Sequence, residues 1–401
     1  LIGVSRFRLQ PSPVQEAKLA EHCGHARLVW NLAVEQHVHW KRGRKSAPGF
    51  AEQCRQLTEA RAEFEWLRAG SIIVQQQALK DFHQAMANFF GKTHRRPTWR
   101  RRGQAEGFRI VAVKPGDVRR LSRHVGEVRV PKVGWVRFRW SRNVSDETKS
   151  FRITRDRAGR WHVAFVAIPK PIPAPGTGEV VGVDRGVTVS AALSTGDLLN
   201  VPTLREGEKG RLLRLQRKLA KAGRDSRRRE RVKVAIAKLK VRESDRRKDW
   251  VEKTSTDLAR DFDVIAVEDL KIGNMTRPAR GTLEAPGRNV RQKAGLNRGI
   301  LAAGWGQLVA RLEHKAPGRV MKIDPRYTSQ TCNACRHLAR ESRESQALFL
   351  CVACGHRDHA DVNAARNIRD TAVGQTVAAR GGAGLPEPVN REPQRDLLLV
   401  G

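Results

Sequence analysis

Four cysteines between residues 327 and 367 follow the spacing C-x2-C-x15-C-x2-C. They are Cys332, Cys335, Cys351 and Cys354. Tetrahedral zinc takes four thiolates, and two short C-x2-C turns deliver them without strain. Two disulfides or four unrelated buried thiols are the alternatives, but the spacing lies in the range of zinc ribbons. The pattern therefore predicts a structural zinc site.

An acidic residue, Asp361, follows the last cysteine in the run HADVNAARN. It precedes a segment with helical propensity, so by itself it could be only an N-cap. A catalytic role requires other carboxylates that share a metal ion with it.

Two apolar segments end in such carboxylates. VVGVDRGV (residues 180–187) contains Asp184, and DVIAVEDL (residues 263–270) contains Glu268. Each segment is typical of a buried strand, where a carboxylate needs water, a partner or a metal to offset its desolvation. Each acid alone could be an ordinary loop residue. Together with Asp361 they predict one site for two Mg²⁺ ions that hydrolyses phosphodiesters.

The motifs VGVDRGV, VIAVEDLKIGNM, DPRYTSQTCNAC and CVACGHRDHADVNAARN resemble those of the TnpB family of nucleases encoded by insertion sequences. They are also similar to those of miniature type V CRISPR effectors. The resemblance implies an RNA-guided DNA endonuclease with an RNase H-like (RuvC) core and Asp184, Glu268 and Asp361 as catalytic acids. It further implies that Arg343 lies near the scissile phosphate. The implied partners are a structured guide RNA and target double-stranded DNA beside a short flanking motif.

The composition independently indicates a polyanionic partner. The chain has 401 residues with 77 Lys and Arg against 41 Asp and Glu, a formal charge of +36. Counterion release makes nucleic acid the natural partner. Binding to a membrane surface is the competing interpretation, but the basic residues are spread over the whole chain. Because we find neither a signal-like start nor an apolar run of spanning length, we expect a cytoplasmic, bacterial protein.

Hydrophobic periodicity predicts a mixed α and β amino-terminal half. Residues 4–9 alternate apolar and basic side chains, which suggests an edge strand. Ser12, Pro13 and Gln15 form a helix start signal with a capping box, and a second helix should begin near Ser71. Between residues 127 and 170 the alternation is that of strands, with a hairpin turn at residues 157–159. With the first strand, these segments suggest a small β-barrel.

Two basic segments are predicted to contact nucleic acid. The loop at residues 93–103 interleaves arginines with a tryptophan, which suits phosphate contact and base stacking. The helical segment at residues 204–250 carries a run of arginines whose mutual repulsion a phosphate backbone would relieve. A solvated loop and a solvated helix pair are the alternatives. The residues concerned are Arg95, Arg96, Trp99, Arg100, Arg101, Arg102, Arg227, Arg228 and Arg229.

The predicted fold is α/β plus β-barrel, an RNase H-like core with an inserted zinc ribbon and a small barrel that carries a helical recognition insertion. The predicted divisions are a wedge-like β-barrel at 1–10 and 104–170, the helical insertion at 11–103, a linker at 171–178, the RuvC nuclease at 179–326 and 356–370, the zinc ribbon at 327–355, and a disordered tail at 371–401.

Three other functions stay open at this point. A miniature type V CRISPR effector differs only in the genomic origin of its guide RNA. A DNA-binding regulator that does not cut would retain the acids without using them. A transposase that joins DNA ends is compatible with the acids, but we find no strand-transfer feature. We expect a monomer bound to RNA, with a homodimer as the alternative.

Overall fold

The computed structural model describes residues 3–38, 47–145, 148–167, 171–282 and 284–379. The chain divides into two compact units, Leu1–Lys170 with Thr203–Arg246, and Pro171–Pro202 with Arg247–Gly401. The break before Pro171 coincides with the start of the predicted linker. Residues 203–246 fall in the first unit, although the sequence placed them in the nuclease domain. An ion pair of 2.8 Å between Asp245 and Arg160 contributes to this grouping.

Seven antiparallel strands form the sheet of the first unit, in the order β2-β6-β7-β1-β5-β4-β3. They are β1 (Gly3–Gln10), β2 (Gly107–Val111), β3 (Val118–Arg120), β4 (Val125–Val130), β5 (Gly134–Arg139), β6 (Ser150–Arg155) and β7 (Trp161–Ala167).

The first strand lies in the centre of this sheet, between β7 and β5. The edge-strand prediction is therefore wrong, because alternation identifies a strand and its buried face but not how many neighbours it has. Phe7 of β1 packs within 5.3 Å of Phe138 and 5.6 Å of Phe165, measured between ring centroids. Among the described residues no pairing joins β2 to β3, so closure of the sheet into a barrel stays a prediction.

Four helices lie between β1 and β2 in the chain: α1 (Pro13–Val38), α2 (Phe50–Glu63), α3 (Glu65–Ala69) and α4 (Ile72–Phe90). The predicted start of α1 is confirmed, since the backbone N–H of Ser12 donates to Gln15 Oε1 (3.0 Å) and that of Gln15 donates to Ser12 Oγ (3.3 Å). The helix predicted near Ser71 is also present, whereas α2 and α3 had no sequence prediction.

Two further helices follow the strands of the first unit, α5 (Glu206–Ala220) and α6 (Arg227–Asp261). Arg246 donates two hydrogen bonds, of 2.6 and 3.0 Å, to the carboxylate of Glu208 and so links the two helices. Beyond Arg246, the rest of α6 belongs to the second unit.

A five-stranded sheet forms the core of the second unit. Its strands are β8 (Val180–Asp184), β9 (Ala191–Leu193), β10 (Leu198–Leu199), β11 (Val264–Glu268) and β12 (Val320–Ile323). They lie in the order β10-β9-β8-β11-β12, in which β11 is parallel to both β8 and β12 and the other pairs are antiparallel. This arrangement brings the carboxyl ends of β8 and β11 to one edge of the sheet.

The helices of the second unit after α6 are α7 (Ile272–Met275), α8 (Val290–Ala303), α9 (Trp305–Lys315) and α10 (Ala360–Ala379). Helix α10 packs so closely on β8 that a Cβ atom at Gly182 would collide with the carbonyl oxygen of Ala365. The prediction that a disordered tail starts at residue 371 is wrong, because α10 continues through Ala379. Residues 380–401 lie outside the described part of the chain.

The predicted linker is held against the second unit. The carboxylate of Asp263 accepts hydrogen bonds from the backbone N–H groups of Gly176 (2.8 Å) and Gly178 (2.5 Å). The N–H of Ile172 donates to the carbonyl oxygen of Lys315 at 2.7 Å. Residues 171–178 therefore form an ordered entry into this unit.

The cysteine-rich region contains a short hairpin, β13 (Leu348–Leu350) and β14 (Arg357–His359), and a 3-10 helix at Arg340–Ser342. The hairpin around the second cysteine pair runs to His359, beyond the predicted end of the ribbon at residue 355. The boundary of the ribbon stays a prediction. Within the described ranges, no helix combines the length and the apolar character that crossing a membrane would require.

Candidate active site and cysteine cluster

Two of the predicted catalytic acids occupy neighbouring positions on adjacent strands. The parallel pairing of β8 with β11 aligns Val183 with Val267, and Asp184 and Glu268 are the next residue of each strand. Neighbouring strands lie about 4.8 Å apart, so side chains at matching positions stand next to each other. The two carboxyl groups are close enough for the charge of Glu268 to raise the pKa of Asp184. The carboxyl ends of the two apolar strands thus bring these acids together.

The third acid, Asp361, reaches the same edge of the sheet from the first turn of α10. A Cβ atom at Gly186, two residues after Asp184, would lie 3.7 Å from Asp361 Oδ2. The carboxylate of Asp361 therefore lies against the loop that follows β8. The structure brings together all three acids that the sequence singled out.

Burial raises the pKa values of two acids in this cluster, Asp184 and Glu268. Burial, reinforced by the charges of Glu268 and Asp361, raises the pKa of Asp184 to about 8. Burial likewise raises the pKa of Glu268, whose side chain is 9% exposed. Without a compensating cation, the fully ionised cluster is costly.

Two arginines supply part of the missing positive charge. Arg343 donates a hydrogen bond of 3.0 Å to Asp361 Oδ1, so this predicted site residue lies beside a predicted catalytic acid. Arg185, which the sequence analysis did not select, is 5% exposed and donates through Nη2 to the backbone carbonyl of Glu268. Its Nε has no hydrogen-bond partner among the described residues.

A threonine contacts the second acid. Thr328 Oγ1 donates to Glu268 Oε1 at 2.8 Å, and this contact is fully buried. The bond favours the ionised form of Glu268 and so opposes the effect of burial on its pKa. Thr328 belongs to the loop that leads into the first cysteine pair.

The three carboxylates form a donor set of the kind that Mg²⁺ prefers, hard oxygen ligands with net negative charge. The pKa of Asp184 is raised by burial and, in addition, because the neighbouring arginines do not fully neutralise the negative charge of the three carboxylates. In the described part of the chain, the cysteine cluster is the one group whose ligand atoms all lie within 4.8 Å of one another. The three carboxylates do not meet this spacing as a group.

The four cysteines converge on a single point. Cys332 Sγ lies 3.8 Å from Cys354 Sγ, and Cys335 Sγ lies 3.6 Å from Cys351 Sγ. Tetrahedral zinc with bonds of about 2.3 Å requires sulfur atoms about 3.8 Å apart, so the spacing is compatible with zinc. All four are free thiols, and the disulfide alternative is not realised. The backbone N–H groups of Cys354 and Ala353 lower the pKa of Cys351 to about 6.

The two cysteine turns repeat one backbone pattern. In each, the N–H of the first cysteine bonds the carbonyl five residues later, at His337 or His356 (both 2.9 Å). The residue after the second cysteine has a left-handed backbone, with φ of 65° at Arg336 and 71° at Gly355. Arginine is unfavourable in that conformation, and its guanidinium is held by Asp370 of α10 at 2.5 Å.

The predicted nucleic-acid contacts fall into two groups. Trp99 is 56% exposed, and the other exposed members are Arg95, Arg96, Arg101, Arg102, Arg227 and Arg228. Arg100 instead lies 3.6 Å over the ring of Trp30, and burial lowers its pKa to about 10. Arg229 donates to the backbone carbonyls of Leu219 (3.0 Å) and Ala222 (3.2 Å) at the end of α5. Arg96, although exposed, donates to the backbone carbonyl of His37 at 2.9 Å. Arg96, Arg100 and Arg229 therefore have intramolecular partners, and contact of the whole set with nucleic acid stays a prediction.

The sequence analysis missed Arg185 and Thr328, which contact the acids, and Asn363 and Asn367, which join α10 to the cysteine turn. Neither Arg185 nor Thr328 stands in a periodic pattern that would have marked it. Asn363 and Asn367 are buried and four residues apart on one helix face. Because asparagine is a poor helix former, that pair was a detectable signal of tertiary hydrogen bonding.

Comparison with known proteins decides the family. The chain is 34% identical over 383 residues to "Putative RNA-guided DNA endonuclease InsQ" of Escherichia coli (strain K12), and the match covers 94% of this chain and 93% of that protein. The chain belongs to the TnpB family. It is also 29% identical over 407 residues to a "Putative RNA-guided DNA endonuclease" of Streptomyces pristinaespiralis, covering 97% of this chain and 96% of the relative.

Sequence models of three domains agree with a TnpB-family chain. The model described as "Probable transposase" matches residues 164–279, and the one described as "Cas12f1-like, TNB domain" matches residues 305–368. A model described as "Helix-turn-helix domain" matches residues 4–45. In the described part of that last segment, β1 is followed by one continuous helix, α1.

The fold is shared with a solved RNA-guided effector. The structure described as "Cryo-EM structure of the Cas12f1-sgRNA-target DNA complex" matches with a TM-score of 0.53 at 16% identity, covering 89% of this chain and 82% of that one. At this identity the similarity concerns the fold alone. It agrees with the type V-like architecture that the sequence motifs implied for this TnpB-family chain.

Proposed function

We propose that this protein is an RNA-guided DNA endonuclease that cuts target DNA beside a short flanking motif. The observation that carries the proposal is the convergence of Asp184, Glu268 and Asp361 at one edge of the second sheet, in a chain of the TnpB family. We assign the second unit to an RNase H-like, RuvC-type nuclease domain. The first unit would be the wedge-like barrel with its helical recognition insertion.

In this proposal Asp184, Glu268 and Asp361 hold two Mg²⁺ ions, which would supply an activated water and stabilise the leaving oxygen. The protein's part is to present the three carboxylates from rigid elements, two strand ends and a helix start. Asp184 would be ionised in order to bind a metal ion. Arg343, which pairs with Asp361, would exchange that carboxylate for the scissile phosphate, since guanidinium binds either group with similar geometry.

Zinc in the cysteine cluster would be structural. Four cysteine ligands leave no open coordination position for a substrate. The cluster holds the ribbon together, and polar contacts with α10 connect the ribbon to the helix that carries Asp361. Cys332, Cys335, Cys351 and Cys354 are the proposed ligands.

The partners we propose are a structured guide RNA and double-stranded target DNA. The relatives are named as RNA-guided DNA endonucleases, and a net charge of +36 suits a large polyanion. Base pairing would read the target, while the protein reads the flanking motif and the backbone. We propose a monomer bound to its RNA, acting in the bacterial cytoplasm where both nucleic acids are found.

The test begins with the RNA that co-purifies when the protein is expressed with its flanking DNA. One discrete RNA with a constant scaffold is expected, and its variable end should match sequence flanking the element. A spacer sequence at that end would instead identify a CRISPR effector. The purified complex should cut a plasmid that carries the matching target. Random RNA with no targeted cutting would contradict RNA guidance, and specific binding without cutting would identify a regulator.

A further inference from the structure

We propose that the loop at residues 325–333 is a bracket that fixes the distance between two catalytic acids, with Thr328 as the positioning residue for Glu268. This inference rests on the proposed function, since it assigns a role within the nuclease site. The loop contains Cys332, the first cysteine of the cluster, so the same segment touches the cysteine cluster, Glu268 and α10.

The contact with Glu268 is made by a buried hydroxyl. Thr328 is 7% exposed, and its Oγ1 lies 2.8 Å from Glu268 Oε1 and 3.1 Å from the carbonyl oxygen of Pro325. A hydroxyl carries one hydrogen, and an ionised carboxylate is the stronger acceptor of the two. The bond fixes the rotation of the Glu268 carboxylate. The other Glu268 oxygen stays available for a cation.

The contacts with α10 are made by two asparagines that follow Asp361 on that helix. Asn367 Nδ2 donates to the carbonyl oxygens of Thr328 (2.9 Å) and Thr331 (2.7 Å). Asn363 Nδ2 donates to the carbonyl oxygen of Thr331 (2.8 Å), and its Oδ1 accepts from the N–H of Asn333 (2.9 Å). Neither asparagine is more than 4% exposed.

These bonds form a continuous chain from Glu268 through Thr328 and Asn367 to the helix that begins beside Asp361. Buried polar groups must be paired, so each link is costly to break and holds its neighbours in register. Outer hydrogen bonds of this kind orient metal ligands and change metal affinity about 10-fold to 100-fold when removed. Because a side chain that is already oriented loses little freedom when an ion binds, orienting Glu268 in advance lowers the cost of metal binding.

The experiment compares Thr328→Val, which removes the hydroxyl at nearly constant shape, with Thr328→Ser, which keeps it. Thr331→Val is the matched control, because it makes the same change on the same loop but its hydroxyl bonds the backbone carbonyl of Tyr327 at 2.9 Å. Mg²⁺ binding is measured by titration calorimetry, together with zinc content and the Mg²⁺ dependence of target cleavage by the RNA complex.

We expect Thr328→Val to weaken Mg²⁺ binding about tenfold and to raise the Mg²⁺ concentration for half-maximal cleavage by the same factor. The zinc content should not change. Thr328→Ser and Thr331→Val should stay within about twofold of the unaltered protein. Unchanged Mg²⁺ affinity in Thr328→Val, or equal losses in the Ser and Val variants, would overturn the inference. If the unaltered complex binds Mg²⁺ but cuts nothing, the proposed function fails while the calorimetry still decides the role of Thr328.

Discussion

At the scale of single residues, the energetics of this protein depend on charges that the fold brings close together. The acids at the ends of β8 and β11 are held near each other although burial and mutual repulsion raise the pKa of Asp184 to about 8. Such a cluster costs stability when no cation is bound. In the first unit, burial and the positive charge of Arg6 similarly disfavour the charged form of His162. Both arrangements give measurable pH effects.

Replacing Asp184 with asparagine should stabilise the protein in Mg²⁺-free buffer. The folded state keeps the Asp184 proton up to about pH 8, whereas the unfolded chain loses it near pH 4, so stability falls as pH rises through this window. Asp184→Asn cannot ionise and should raise the free energy of unfolding by about 2 kcal/mol at pH 7.5. Urea denaturation measures the gain. A gain that does not shrink between pH 7.5 and pH 5 would contradict this explanation.

His162 should make the first unit sensitive to mild acid. Its Nδ1 accepts a hydrogen bond of 2.9 Å from Arg6, and burial, with the charge of Arg6, lowers its pKa to about 4. A lowered histidine pKa contributes stability that is complete above pH 6.5 and is lost as pH falls towards 4. After allowance for solvent screening, we expect a loss of about 1 to 2 kcal/mol.

The variant His162→Gln keeps an acceptor for Arg6 but cannot take up a proton. Its urea denaturation midpoint should change less than that of the unaltered protein between pH 6.5 and pH 4. Asp156, whose Oδ2 lies 4.0 Å from His162 Nε2, has a pKa lowered below its usual 3.8, so it titrates below this window. Parallel pH profiles for the two proteins would show that His162 is not responsible.

At the scale of elements, the cysteine ribbon and α10 behave as one assembly, because buried asparagines join the first cysteine turn to the helix. Cysteine spacing was enough to predict the cluster, and apolar strands ending in acids were enough to predict where Asp184 and Glu268 would lie. Thr328 could not be found in this way, because its partner is sixty residues away in sequence and no local pattern encodes such a contact. The same limit explains the error over β1, whose neighbours come from distant parts of the chain.

Substitution of one cluster cysteine should remove zinc, whereas substitution of an unrelated cysteine should not. We compare Cys335→Ser with Cys54→Ser, since Cys54 lies in α2 and outside the cluster. Three thiolates and a serine hydroxyl bind zinc much less well than four thiolates. Metal analysis should give one zinc per chain in Cys54→Ser and a substoichiometric amount in Cys335→Ser. Full zinc content in both variants would contradict a four-cysteine site.

Loss of zinc should also have a local structural effect. Hydrogen exchange in Cys335→Ser should increase in the ribbon and in the first turns of α10, while the seven-stranded sheet keeps its protection. Cys54→Ser is again the control.

At the scale of the whole molecule, a large positive charge coexists with two compact units. The composition predicts a polyanionic partner, and the break between the units before Pro171 coincides with the start of the predicted linker. The sequence did not predict that residues 203–246 group with the first unit. Basic composition and helical periodicity identify such a segment but do not say which core its apolar face contacts. The end of α10 was also misplaced, because weakly apolar residues such as Ala372 pack in the second unit without a strong periodic signal.

The exposed arginines of the loop at residues 93–103 should contribute to RNA affinity through phosphate contacts. Replacing Arg101 and Arg102 with alanine should weaken RNA binding and lower the slope of log affinity against log salt by about two. Arg55→Ala is the control, because Arg55 is also exposed but pairs with Glu52 at 2.7 Å. Filter binding across a range of KCl concentrations measures both quantities. An unchanged slope in the double variant would exclude these two arginines from the interface.

The most direct test of the account is Mg²⁺-dependent target cleavage by the RNA complex of Glu268→Gln, compared with Asp269→Asn. The two positions are adjacent, but Asp269 pairs with Lys271 at 2.5 Å, outside the cluster, whereas Glu268 lies within it. We predict that Glu268→Gln reduces the single-turnover cleavage rate by at least about a thousandfold, with RNA and target binding retained, and that Asp269→Asn cuts nearly normally. Normal cleavage by Glu268→Gln would show that these carboxylates are not the nuclease centre.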